Sequence, residues 1–153
     1  MSLLTNLVAY WKLDEASGNP VDSSGNSNTL TNNNSTPFSA AKVNNGANFV
    51  AANSNYFSLT EANQTGLDLT GDLSFAFWIK VNSQPDGNGF YLVSKWDETN
   101  EDRAYAFYYL DDSGTKLQFA INDAGTPNTR NDIYNVACTL TNDVWYHVAL
   151  TFD

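Results

Sequence analysis

Apolar residues recur at every second position in four runs, a spacing that predicts strands with one buried face. Leu7, Ala9, Trp11 and Leu13 share one side of the first run. Leu73, Phe75, Phe77, Ile79 and Val81 form the longest stripe, with Ser74, Ala76, Trp78 and Lys80 opposite. Leu117, Phe119 and Ile121 alternate with Gln118, Ala120 and Asn122. Tyr146, Val148, Leu150 and Phe152 alternate with Trp145, His147, Ala149 and Thr151. Two further runs, 90–95 and 105–110, are apolar on both sides and are predicted to be central strands covered on both faces.

Clusters rich in Gly, Pro, Asn and Asp separate these runs, at 15–19, 22–28, 82–89, 111–114 and 122–131. The cluster 111–114 sits between two strands and reads as a hairpin loop. The tract 29–39, with Asn32, Asn33 and Asn34, reads as a polar loop. No stretch keeps a helical period over three turns. Short strands with frequent turns predict one all-β domain over 1–153, an antiparallel sandwich of two sheets.

Composition narrows the function. The net charge is -10, which repels phosphate backbones, and no Lys/Arg cluster reverses it locally, so nucleic acid is not an expected partner. Asn is about one residue in seven, which suits turns and an amide-rich surface. Cys138 is the only cysteine, which leaves no internal disulfide and predicts a small packed thiol. The first residues carry no basic, apolar pattern of a secretory signal, and no later run is long enough to span a membrane.

A family resemblance enters at the first run. Leu7-Val8-Ala9-Tyr10-Trp11-Lys12-Leu13-Asp14-Glu15, followed by Asp22-Ser23-Ser24-Gly25-Asn26, resembles the opening of laminin-G-like jelly-roll domains of the concanavalin A-like lectin-glucanase type. Lys42-Val43-Asn44-Asn45-Gly46-Ala47-Asn48-Phe49 continues the order, and the stretch 67–80, ending Phe75-Ala76-Phe77-Trp78-Ile79-Lys80, is the most specific. Leu92-Val93-Ser94-Lys95-Trp96-Asp97 and the stretch 145–153 complete it. Two departures accompany the likeness. Val50-Ala51 follows Phe49 where the family often has Asp-Gly, and the family's C-terminal strands are expected to be lacking after Asp153.

The resemblance implies a structural calcium near the turn of Asp22 and Asn26. Carboxylate, amide and carbonyl oxygens in a tight turn suit that hard cation. The same turn is equally readable as one closed by side-chain hydrogen bonds. The acidic loop 97–102 lacks the ligand spacing of a calcium-binding loop and reads as a solvated surface. A glycosidase needs two carboxylates across the scissile bond, and no alternating strand offers such a pair. His147 has no nucleophile patterned beside it and is expected to pack structurally. Tyr10, Trp78 and Trp145 lie on the side away from the predicted core and are the candidate ligand-binding rings, since sugars stack their C–H faces on such rings.

The expected function is therefore a non-catalytic carbohydrate-binding or adhesion domain. Its expected partner is a cell-surface glycan, and its expected location is extracellular, at a cell surface or on a virion. The alternative is a structural module of a phage particle or surface appendage, with other subunits as partners. A glycoside hydrolase ranks last.

Overall fold

The computed structural model describes residues 5–69, 71–85, 87, 89–97, 102–122 and 132–153. These residues form two compact units, divided between Leu67 and Asp68. The acidic loop 97–102 and the turn cluster 122–131 fall largely outside the described residues.

The first unit holds four three-residue strands: β1 (Thr31–Asn33), β2 (Phe38–Ala40), β3 (Asn45–Ala47) and β4 (Tyr56–Ser58). β1 pairs antiparallel with β4, and β2 with β3. Single 3-10 turns at Ala51–Asn53 and Glu61–Asn63 are the helical structure of the described residues. The tract 29–39 is therefore not simply a loop, because it contains β1 and β2. β1 is Thr-Asn-Asn and β2 only Phe-Ser-Ala, so one lacks an apolar alternation and the other is too short to show one. Asn32 shows how β1 is held. Its amide nitrogen donates to the carbonyls of Gly18 at 2.9 Å and Thr36 at 3.0 Å, while its oxygen accepts from the Thr36 N–H at 2.7 Å.

The first run, expected as a strand, is not one. It makes a single bridge, Trp11 to Asp22, and Leu13 adopts a left-handed φ of 58° that breaks an extended path. Its backbone groups bond to side chains of the following turn instead of a ladder.

The second unit contains β5 (Leu73–Lys80), β6 (Phe90–Asp97), β7 (Asp102–Asp111), β8 (Thr115–Ile121), β9 (Asp132–Ala137) and β10 (Trp145–Phe152). β5 and β10 pair antiparallel along all eight residues, from Trp145 opposite Lys80 to Phe152 opposite Leu73. The other four strands make a second antiparallel sheet in the order β6-β7-β8-β9. The two sheets meet through their apolar faces. Leu73 and Val148 from the first are buried with Tyr105, Phe107, Phe119 and Ile121 from the second.

Aromatic rings lock this interface. Phe75 meets Tyr105 at 5.4 Å, Phe77 meets Phe107 at 5.8 Å, and Phe152 meets Phe119 at 6.0 Å between centroids. Each fully buried side chain of this size is worth roughly 1.5–3 kcal/mol of apolar burial. At one end Tyr109, fully buried, closes a second cluster with Val81 and Leu140. Its hydroxyl donates to Gln84 Oε1 at 2.5 Å and accepts from the Leu140 N–H at 3.0 Å. Buried polar atoms need such partners, and here they also fix the connection into β10.

β7 is central and covered on both faces, as its two-sided apolar run requires, with residues 105–109 all buried. β6 is not central. It is an edge strand whose Phe90 and Tyr91 are exposed, and Tyr91 lies against the Tyr108 ring at 4.6 Å. An edge strand can be apolar on both faces when neighbouring rings shield part of each. β8 departs the other way. Gln118, Ala120 and the following Asn122 are buried, so the face read as polar is covered too. The hairpin loop forms as expected: Gly114, at φ 118°, donates its N–H to Asp111 Oδ1 at 2.9 Å.

Candidate functional site

The outward face of the β5–β10 pair collects the large exposed rings of this unit's two-stranded sheet. Period-two alternation sends Leu73, Phe75, Phe77 and Ile79 inward, which obliges Ser74, Ala76, Trp78 and Lys80 to face outward. β10 does the same with Trp145, His147, Ala149 and Thr151. The register then sets the pairs: Lys80 with Trp145, Trp78 with His147, Ala76 with Ala149, and Ser74 with Thr151.

Trp78 is 44% exposed. Its indole meets the His147 imidazole edge-on, centroids 5.2 Å apart at 65°, an arrangement that aims the positive edge of one ring at the negative face of another. The Lys80 ammonium lies 5.5 Å from the centre of the Trp145 ring. The two alanines beside Trp78 are small, so the ring stands above a low apolar floor bordered by the Ser74 and Thr151 hydroxyls. Flat aromatic surface, a shallow step and peripheral donors are what a sugar ring needs.

Of the three rings singled out in the sequence, Trp78 and Trp145 share this face. Tyr10 belongs to the first unit, where its N–H donates to Asp22 Oδ1 at 2.9 Å and its carbonyl accepts from the Ser23 N–H at 2.8 Å. Two further members of the face were not expected as ligand contacts. His147, expected to pack structurally, is exposed beside Trp78, and Lys80, on the outward side of its strand, carried no expected role. The signal for both was present in the alternation, since each has the same parity as a candidate tryptophan.

A family model described as the concanavalin A-like lectin/glucanases superfamily matches residues 51–153, a stretch that takes in both sheets of the second unit. The chain belongs to this superfamily. No curated protein and no solved structure matches it. The concanavalin A-like match therefore covers the Trp78 face entirely and leaves the Asp22 turn upstream of it.

That upstream turn is a hydrogen-bond hub. Asp22 Oδ1 accepts from the N–H groups of Tyr10 at 2.9 Å and Ser24 at 2.8 Å. Oδ2 accepts from the Ser24 hydroxyl at 2.8 Å and the Asn28 N–H at 2.9 Å. Partial burial pushes the Asp22 carboxyl up, but these donors outweigh it and hold it below its ordinary value. Asn26 turns its amide nitrogen onto the carbonyls of Leu7 at 3.0 Å and Val8 at 2.9 Å. Asn28, fully buried, donates to the carbonyls of Val8 at 3.0 Å and Thr65 at 2.9 Å and accepts from the Thr65 N–H at 2.7 Å.

A carboxylate offers about four lone-pair positions, and the chain's own donors fill all four on Asp22. A calcium at this turn, as the family resemblance implies, would have to compete with those four donors for the carboxylate. Among the described residues, no three His, Cys, Asp or Glu side chains gather as a metal-holding group. Asp22 and Asn26 instead splice the first run to the turn that follows it.

Proposed function

We propose that this concanavalin A-like domain is a non-catalytic carbohydrate-binding or adhesion module, and that it holds a glycan on the face of Trp78, His147, Trp145 and Lys80. The exposed Trp78 ring, propped edge-on by His147 above two alanines, carries the reading. A pyranose laid on the indole would exchange water on both apolar surfaces for C–H contacts, while Ser74, Thr151 and the His147 ring nitrogens would meet hydroxyls.

Glycoside hydrolysis uses two carboxyl groups about 5–10 Å apart across the bond, and the eight outward positions of the β5–β10 face carry none, which supports binding rather than hydrolysis at this face.

Titration of the chain with a panel of neutral and acidic polysaccharides, comparing wild type with Trp78→Ala, tests the proposal. The wild type binds at least one glycan, and the variant binds it about tenfold more weakly, equal to about 1.4 kcal/mol, with an unchanged β-sheet circular dichroism spectrum. Equal binding by the two proteins removes Trp78 from the site.

A further inference from the structure

The platform has a second property, the sign of its charge. Its eight outward positions contain no carboxylate, on a chain with 17 acidic and 7 basic residues. The nearest acids along the chain, Asp72, Asp143 and Asp153, lie just beyond the strand ends.

The described lysines of this unit differ in what answers their charge. Lys95 is paired with Asp68, and Lys116 with Asp112. Lys80 lies instead over the Trp145 ring. An aromatic face attracts an ammonium without placing a counter-charge beside it, so the ring steadies Lys80 on the platform and leaves its head available to an anion.

Lys80 and Trp78 are two positions apart on one strand face, so their Cα atoms are about 7 Å apart. That spacing matches a sugar ring centred on the indole with a carboxylate at its edge. The four-carbon lysine stem supplies the remaining freedom. We infer that the Trp78 platform selects acidic sugars, hexuronates or similar carboxylate-bearing units, by stacking the ring on Trp78 and pairing the carboxylate with Lys80. The inference rests on the glycan reading above and adds the chemical class of the ligand. The chain's overall negative charge does not prevent it. Charges farther than about 8 Å are largely screened at physiological salt, whereas Lys80 acts in contact.

Polygalacturonate and its methyl ester share a backbone and differ in charge, so binding of the full chain to cross-linked beads of each isolates the carboxylate. Wild type is expected to bind the acid form about five-fold more tightly, the scale of one exposed ion pair. Lys80→Met erases that preference, Lys80→Arg restores it, and Trp78→Ala weakens binding to both beads. Equal binding of wild type to the two beads, or a preference that survives Lys80→Met, overturns the acidic-sugar inference and leaves the glycan site standing. Binding of neutral glycans with neither polymer retained does the same. Failure to bind any glycan brings down the platform reading itself.

Discussion

Trp78 and His147 sit directly opposite each other in the β5–β10 register, and their rings meet edge to face at 5.2 Å. The imidazole limits the indole's rotation and so presents a preset surface. Ordering a ring in advance removes part of the entropy that binding would otherwise cost.

His147→Ala is therefore expected to weaken glycan binding about threefold while changing stability by less than about 0.5 kcal/mol, as for surface substitutions generally. Calorimetric titration and a thermal melt of the same sample separate the two effects. A large fall in melting temperature would mean that the imidazole supports the fold rather than the platform.

Acid should act on the first unit through Asp22. Its carboxyl is held below the ordinary value of 3.8, so its contribution is complete above that value and is lost as pH falls through the lower folded value. Melting curves between about pH 5 and pH 2 should drop more steeply for wild type than for Asp22→Asn. At neutral pH the variant should be less stable by about 1–3 kcal/mol, the cost of weakening hydrogen bonds to a charged group. Parallel curves for the two proteins would clear Asp22 of this role.

Divalent cations should matter little. The four donors on Asp22 already occupy the positions a calcium ion would need. Treatment with a chelator, followed by added calcium, should leave the melting temperature within about 1 °C, since a cation that does not bind the native state cannot stabilise it. A rise of several degrees on adding calcium would show that the turn opens to accept it.

Tyr109→Phe isolates one hydroxyl in the second unit. Removing it strands Gln84 Oε1 and the Leu140 N–H beside a fully buried ring. The loss should be about 1–3 kcal/mol in a denaturant titration, with the β-sheet spectrum kept. No loss would mean that water replaces the hydroxyl in both bonds.

The strands that carry the platform were legible because each faces the core on one side and solvent on the other, so Phe75, Phe77, Val148 and Leu150 alternate with Trp78 and His147. Where that asymmetry failed, the sequence was silent or misleading. β6 and β7 have similar two-sided apolar runs, yet β7 is central and β6 is an edge, a difference made by sheet order rather than composition. β1 is hidden because amide side chains, not an apolar stripe, hold it, and β2, Phe38–Ala40, is too short to show a stripe. The first run reads as a strand by spacing, but Leu13 turns left-handed and no ladder forms. Trp78 and Trp145 could be picked out as outward rings, while the pairing of Lys80 with Trp145 and of His147 with Trp78 needed the register of two strands 65 residues apart between Lys80 and Trp145.

Asn28 grips residue 8 with one hand and residue 65 with the other, contacts 20 and 37 positions away along the chain. The opening run borrows its shape from side chains that are synthesised later. During translation it waits first for Asp22 and Asn26, and Asn28 is itself not fully held until Thr65 has followed, so the opening run is ordered after the residues that come behind it rather than before them.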